Sequence, residues 1–229
     1  MGQFITLTAA DGFTFSSYVA QPQGKPRGAI VVVQEIFGVN SHICDVADRF
    51  AAEGYLAVAP AAFDRVKTGV DLGYNEAGMT EGIALKAAVE ALPGAGVLQD
   101  IQAAIDHASK ISGEKVGIIG FCWGGLLTCR AACMLNGLSV AVPYYGGGMT
   151  SSHEIARQPK VPVMAHFSDR DHSISMESIT AFIQAHPEVQ SHIYSADHGF
   201  NCDQRGAYDE ASALLARERT LAFLAENLA

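Results

Sequence analysis

The sequence predicts an α/β fold in which a doubly wound, mostly parallel sheet carries helices on both faces. Three observations indicate this fold. Strand-like and helix-like segments alternate along most of the 229 residues. The segment from Gly28 to Val33 is a continuous, mostly β-branched run, which is typical of a strand buried on both faces. No linker, charge block or repeat divides the chain, so we expect residues 1–229 to form a single domain.

The elements can be assigned in chain order. Residues 4–8 and 13–19 flank Asp11-Gly12 and predict an antiparallel hairpin at one edge of the sheet. Ser41 is the expected N-cap of a helix that ends at Gly54, and an irregular stretch runs to about Thr80. Further strands are expected at 55–59, 115–119, 139–145, 161–167 and 189–195, and helices at 41–53, 81–92, 97–111, 123–135, 176–186 and 205–227.

Composition narrows the class of protein. Apolar residues make up 49% of the chain, the formal net charge is −9, and the 15 basic residues are scattered, which argues against a nucleic-acid partner. The start of the chain lacks the pattern of a signal peptide, and no apolar run is long enough to span a membrane. Five cysteines without CxxC spacing favour a reducing, cytoplasmic location, and Cys129 and Cys133 are interpreted as small buried hydrophobic residues.

The strongest functional signal is the segment Gly120-Phe-Cys-Trp-Gly-Gly125, between an apolar strand and a helical run. It matches the nucleophile elbow, G-x-nucleophile-x-G, with Cys122 in place of serine. Side chains at Gly120 and Gly124 would collide in so sharp a turn. The following helix places its N-terminus beneath the sulfur, where the helix dipole favours a thiolate. Cys122 is therefore the predicted nucleophile.

A nucleophilic thiolate needs a base and a group that orients the base. His198 follows the last predicted strand and is the candidate base. The acid must come from the segment after the strand at 161–167, where both Asp171 and Asp169 occur, and position alone leaves both open. His172 and His166 also lie near this region, and we interpret them as structural or surface histidines.

The loop after the first parallel strand, Gln34-Glu-Ile-Phe-Gly38, is expected to form the other side of the site. In this arrangement the oxyanion hole consists of two backbone amides, which we assign to Ile36 and Trp123. Glu35 is expected in a partly dry crevice, and two interpretations of it stay open, a direct partner of Cys122 and a solvated loop acid. The histidines and cysteines lack metal-ligand spacing, so we expect no metal site.

Several motifs, in this order and spacing, resemble the dienelactone hydrolase family over residues 13–225. The resemblance implies an α/β-hydrolase fold without a cofactor, a triad of Cys122, Asp171 and His198, and a resting state in which Glu35 accepts a hydrogen bond from the thiol. Phe37 and Tyr144 are the implied substrate contacts. The matching segments are Gln34 to Gly38, Gly120 to Gly125, Tyr144-Tyr145-Gly146, Asp171-His172 and His198-Gly199-Phe200.

The sequence departs from the family pattern at the residues that hold a substrate carboxylate. The best-known members use one arginine in the middle helical region and another just after the catalytic histidine. Residues 66–129 contain no arginine, and the position four after His198 is Cys202. Arg205 is the candidate replacement.

We therefore expect hydrolysis of a small-molecule ester or lactone through an acyl-thioester. Two alternatives stay open at this point. One is acyl transfer by the same triad, and the other is a non-catalytic protein that binds a small molecule or senses thiol oxidation. The sequence specifies no oligomeric state.

Overall fold

The computed structural model describes residues 2–229, which form eight strands and seven helices. The strands are β1 (Gln3–Thr8), β2 (Thr14–Ala20), β3 (Ala29–Val33), β4 (Leu56–Pro60), β5 (Val116–Phe121), β6 (Leu138–Tyr144), β7 (Met164–Ser168) and β8 (Gln190–Tyr194). The helices are α1 (Ser41–Ala52), α2 (Glu76–Glu90), α3 (Leu98–Ser112), α4 (Trp123–Met134), α5 (Ser152–Ile155), α6 (Met176–Ala185) and α7 (Glu210–Leu228).

All eight strands belong to one sheet, in the order β1-β2-β4-β3-β5-β6-β7-β8. Strands β3 to β8 pair with one another in parallel. Strand β2 pairs antiparallel with both β1 and β4, so the hairpin lies at one edge of the sheet. The doubly wound sheet and the edge hairpin predicted from the sequence are confirmed.

The centre of the sheet is buried on both faces. Every residue of β3 has an exposure of 0%, as its uninterrupted apolar sequence predicts. Helices α1 and α7 pack on the sheet, and α3 and α4 contact each other as they cover β3, β4, β5 and β6. The buried residues of the sheet and of these helices form one hydrophobic core.

The order of the strands also fixes where a ligand can bind. The chain leaves β3 for β4 on one side and later returns to β5 on the other side of β3. Loops that leave neighbouring strands in opposite directions open a crevice at the carboxyl ends of those strands. The segments after β3 and β5 therefore face each other across the crevice.

Two helices begin later or earlier than the sequence predicts, because asparagine and aspartate caps decide their starts. Helix α2 begins at Glu76 rather than residue 81, because the Asn75 side chain accepts a hydrogen bond from Gly78 N at 2.9 Å. Helix α7 begins at Glu210 rather than residue 205, because the side chain of the residue before it, an aspartate, caps the first turn. Residues before α7 instead form a series of turns that reaches the site.

The predicted cap of α1 is wrong by one residue. The Asn40 side chain accepts a hydrogen bond from Ile43 N at 3.2 Å, and Ser41 is the first residue of the helix. The short helix α5 was not predicted, because four residues carry too little periodicity to identify a helix. No helix within residues 2–229 has both the length and the apolar character needed to cross a bilayer.

Candidate active site

Cys122 lies at the sharp turn between β5 and α4. Its backbone has φ 55° and ψ −117°, a conformation that costs energy for any residue other than glycine. The turn also requires close backbone approach. A Cβ at Gly120 would lie 2.1 Å from the carbonyl oxygen of Gly124, and one at Gly124 would lie 2.4 Å from that of Val33. The collisions predicted for this motif are therefore present, and they hold the half-buried sulfur at the carboxyl end of the sheet.

His198 and Asp171 meet beside this sulfur. His198 Nδ1 is 2.7 Å from Asp171 Oδ2, and the side chains are 6% and 0% exposed. Burial would lower the pKa of His198, but hydrogen bonds with Asp171 and Cys122 outweigh it and raise that pKa. Burial would raise the pKa of Asp171, but the hydrogen bond with His198 and those from the Ser173 and Ile174 amides lower it. Together these contacts stabilise the imidazolium–carboxylate pair that forms when His198 accepts a proton.

The other candidates from the same region make no hydrogen bond to His198 among residues 2–229, although His172 lines the same pocket as Cys122. Asp169 is exposed, and its backbone amide donates to Tyr194 O. His172 is also exposed, with its ring centroid 5.9 Å from that of His198. His166 is fully buried and bonds to Tyr194 and Thr220 through its two ring nitrogens. Of the two aspartates, only Asp171 reaches the histidine.

The two residues whose amides are assigned to an oxyanion hole line the same pocket as Cys122. Ile36 follows β3 and Trp123 opens α4. Among the hydrogen bonds of residues 2–229, neither amide N–H donates to an acceptor. The Trp123 side chain is fixed by stacking on Phe63 and by donating Nε1–H to Glu90 at 2.9 Å. Both N–H groups are therefore available to an oxygen in the pocket.

The pocket combines apolar walls with cations. Phe37, Met79 and Ile83 contribute apolar surface, and Lys86 and Arg205 contribute positive charge. None of the lining residues in the described part of the chain is an aspartate or a glutamate. Phe37 thus lies where the resemblance implies. The pocket suits an apolar substrate that carries a negative charge.

Glu35 does not make the contact that the resemblance implies. Its Oε1 accepts a hydrogen bond from Arg205 Nη1 at 3.1 Å, and its Oε2 accepts one from Tyr74 at 2.9 Å. The Cys122 thiol donates to neither oxygen among residues 2–229, so the hydrogen bond that the resemblance implies is absent there. The Arg205 guanidinium also stacks on the rings of Phe37 and Tyr74.

Tyr144 lies away from the pocket, so its predicted role as a substrate contact is wrong. Its hydroxyl is 2.6 Å from Thr220 Oγ1, and its ring is 3% exposed beneath α7. Successive residues at a strand end point to opposite faces of the sheet. The neighbouring Tyr145 is therefore the one that packs edge-on against His198, with ring centroids 5.2 Å apart.

One group of side chains in the described chain has metal-binding atoms close together. Ligand atoms of Glu35, His42 and Cys202 all lie within 4.8 Å of one another. The sequence analysis did not identify this group, because its members come from three separate segments without ligand spacing.

Comparison with known proteins identifies the family. The sequence model of the dienelactone hydrolase family matches residues 15–228. The chain belongs to the dienelactone hydrolase family.

Several relatives in this family match the chain over most of its length. The carboxymethylenebutenolidase of Pseudomonas putida is 34% identical over 228 residues, covering 96% of this chain and 95% of that protein. A Synechocystis protein assigned as a carboxymethylenebutenolidase is 36% identical over 215 residues, 86% of each chain. The solved structure of a Klebsiella pneumoniae protein assigned as a dienelactone hydrolase superposes with a TM-score of 0.81 at 30% identity, covering 98% and 99% of the two chains. The fold is thus that of the α/β hydrolases, as predicted.

Two residues at this site, Tyr74 and Lys86, were not predicted from the sequence. Tyr74 lies in a stretch without periodicity, and nothing local indicates that it contacts Glu35, 39 residues earlier. Lys86 lies in the segment 66–129, which contains no arginine, and no role was predicted for it. Its place on α2, three residues after Ile83 on the same helix face, is the signal that could have placed it in the pocket.

Proposed function

We propose that this protein hydrolyses a small-molecule carboxylic ester or lactone, with Cys122 as the nucleophile. The observation that carries the proposal is the strained Cys122 turn beside His198, which Asp171 orients at 2.7 Å. A thiol, a base and a group that orients the base are the parts required for nucleophilic catalysis. The names of the relatives, carboxymethylenebutenolidase and dienelactone hydrolase, support the same substrate class.

In the acylation half, His198 accepts the thiol proton of Cys122 and the sulfur attacks the carbonyl carbon. The N–H groups of Ile36 and Trp123 stabilise the oxyanion that forms. The tetrahedral intermediate then collapses, and the carbon–oxygen bond to the leaving group breaks. His198 returns the proton to that oxygen, which leaves an acyl-thioester on the enzyme.

In the deacylation half, His198 accepts a proton from water, and the oxygen attacks the thioester carbonyl. The second tetrahedral intermediate expels the Cys122 sulfur, which regains the proton from His198. Both halves use side chains and amides of this chain alone, so the mechanism calls for no cofactor. Throughout, Asp171 keeps the Nδ1–H of His198 in place, so that Nε2 serves the sulfur and the water.

We also propose that the substrate carries a carboxylate. Lys86 and Arg205 line the pocket without an acidic lining residue to neutralise them. Arg205 is bonded to Glu35 in the described structure, so a substrate carboxylate would compete with Glu35 for the same guanidinium. Lys86 has no ion-pair partner among residues 2–229 and can meet an anion directly. The name carboxymethylenebutenolidase, which denotes a lactone bearing a carboxymethylene group, agrees with this charge.

The nucleophile favours substrates with stabilised leaving groups. A cysteine thiol has a pKa of about 8.5, so a thiolate leaves more readily than an alkoxide. With an alkyl ester, the first intermediate therefore tends to expel sulfur and return to substrate. An enolate or phenolate can leave instead, so we expect enol-lactones and aryl esters to react far faster.

The test is kcat/KM for esters that share one acyl group and differ in the pKa of the leaving alcohol. We expect a steep decrease in kcat/KM as that pKa rises, and a shallower one in Cys122→Ser, whose residual activity serves as the matched control. A dependence as flat in the native protein as in the serine variant, under conditions where acylation limits the rate, would refute the proposal.

A further inference from the structure

Three buried side chains with metal-binding atoms converge next to Arg205. They are Glu35, from the loop after β3, His42, from the first turn of α1, and Cys202, from the turns before α7. Each is 0% exposed, and their ligand atoms lie within 4.8 Å of one another. The sequence places cysteine at 202, four residues after His198, where the family pattern described above has an arginine.

His42 is the member whose position needs an explanation. In the structure of residues 2–229 neither of its ring nitrogens has a hydrogen-bond partner, although the ring is completely buried. The closest acidic atom, Asp203 Oδ1, is 3.4 Å from Nδ1. A buried polar group without a partner costs about 1–3 kcal/mol. The imidazole ring therefore has a nitrogen lone pair that no partner in residues 2–229 uses.

We propose that Glu35, His42 and Cys202 bind a thiophilic divalent cation, for which Zn²⁺ is the best match. A nitrogen, a sulfur and a carboxylate oxygen are the donors that zinc prefers, at about 2.0–2.3 Å. In a tetrahedral site such bonds place the ligand atoms about 3.4–3.8 Å apart. The present separation of up to 4.8 Å thus requires a contraction of about 1 Å, within the reach of side-chain rotation.

The neighbouring groups suit a bound cation. Asp203 is the kind of carboxylate that receives the second ring N–H of a metal-bound histidine. Glu35 has two oxygens, so one can bind the ion while the other keeps its hydrogen bond from Arg205. Asp203 is 33% exposed and Arg205 lines the open pocket, so an ion can enter from either side.

Metal binding at this group should release a proton, which can be measured. A cysteine thiol has an ordinary pKa of about 8.5, so it carries its proton near neutral pH in the absence of metal. Coordination forms the metal–sulfur bond, breaks the S–H bond and releases one proton to solvent. The Cys202 thiolate and the Glu35 carboxylate then offset part of the positive charge of the bound ion and of Arg205, which keeps its contact with Glu35.

The test uses Co²⁺ and Zn²⁺ with the untagged Cys122→Ala protein, which keeps the three ligands and removes the nucleophile, itself a potential metal ligand. We expect one equivalent of Co²⁺ to bind with a thiolate-to-cobalt charge-transfer band in the near ultraviolet. One proton should be released per ion. Because no turnover is measured, this result does not depend on the proposed hydrolysis.

Two further variants in the same background locate the sulfur. The double variant with Cys202→Ser should lose the charge-transfer band. It should also bind the ion more weakly, by more than the roughly 10–100-fold that is typical of losing an outer-shell contact. Added Cys44→Ser, which removes a half-buried cysteine of α1 outside the group, should change neither. A band that survives Cys202→Ser, or no band in Cys122→Ala, would overturn the proposal.

X-ray absorption on the zinc-loaded Cys122→Ala protein gives an answer even if the Cys202→Ser variant fails to fold. We expect one sulfur at about 2.3 Å and nitrogen or oxygen donors at about 2.0–2.2 Å. A shell of two sulfurs would point to the Cys129 and Cys133 pair on α4, and a shell without sulfur to surface ligands. Either result would refute the site.

Discussion

Both oxygens of the Asp171 carboxylate accept hydrogen bonds, so an amide, which has only one oxygen, cannot replace it. Oδ2 accepts the Nδ1–H of His198 at 2.7 Å, and Oδ1 accepts the amides of Ser173 and Ile174 at 2.8 and 3.1 Å. In Asp171→Asn the NH₂ group must face one of these donors. If the amide oxygen keeps the two backbone N–H groups, the NH₂ group donates to His198 Nδ1 and moves the ring proton to Nε2. That nitrogen then cannot accept the Cys122 proton.

The expected loss of kcat in Asp171→Asn follows from the wrong tautomer of His198. A correctly shaped site with the ring proton on the wrong nitrogen loses on the order of 10⁴-fold in kcat. This corresponds to about 5 kcal/mol of transition-state stabilisation. We expect the KM of an activated aryl ester to change much less, because Asp171 has no exposed surface in the pocket.

The same substitution should alter the pH dependence of stability. The pKa of Asp171 is lowered in the fold, so its contribution is present above the unfolded pKa of about 3.9 and is lost as pH falls through the folded pKa. The pKa of His198 is raised, so its contribution is complete below about 6.5 and is lost as pH rises through the folded pKa. Urea unfolding between about pH 4 and 6.5 should therefore show the largest difference between the native protein and Asp171→Asn.

The assay is steady-state hydrolysis of an aryl ester, with circular dichroism to confirm folding. Asp169→Asn is the matched control, because this exposed aspartate lies two residues away and has the same chemistry. We expect the control to keep nearly full kcat. Similar losses in the two variants, or more than about one tenth of native kcat in Asp171→Asn, would refute the orientation argument.

Three further predictions test the turn, the ion pair and the second histidine. Gly124→Ala should lose about 3 kcal/mol or more in urea unfolding, because the added Cβ meets backbone oxygens at 2.4 Å, whereas Gly206→Ala, in open space, should not. Glu35→Gln should cost about 3–5 kcal/mol by leaving the Arg205 cation buried and unpaired, and a double variant with Arg205→Met should recover much of that stability. His172→Ala should stay within about tenfold of native kcat/KM, whereas loss of a triad member costs about 10⁴-fold.

The parts of the molecule predictable from sequence are those with local causes. An apolar run identifies β3 because a strand covered on both faces must be apolar at every position. The glycines around Cys122 identify its turn because backbone atoms lie where their side chains would be. His198 and Asp171 follow strand ends, so the parallel sheet brings them together whatever the sequence between them. The start predicted for α7 was too early, because the turn residues before its aspartate cap have a composition typical of helices.

Contacts between distant segments could not be predicted in this way. Glu35 bonds to Arg205, 170 residues later, and to a tyrosine in a stretch without periodicity. The adjacent pair Tyr144 and Tyr145 illustrates a second limit. A motif shows that both occur at a strand end, but the sheet decides that only Tyr145 packs against His198.

Arg205 shows why a family's residues cannot be transferred by position alone. The family pattern has its arginine four residues after the histidine, where this chain has Cys202. The segment turns through successive hydrogen bonds from Cys202 N to Gly199 O and from Arg205 N to Cys202 O. These turns fold the later guanidinium back against Gly199, where a Cβ would lie 2.5 Å from its Nη1. Because Gly199 has φ 87° and no side chain, an arginine three residues later in sequence still pairs with Glu35. The change therefore keeps a cation in the pocket while it buries a thiol beside His42.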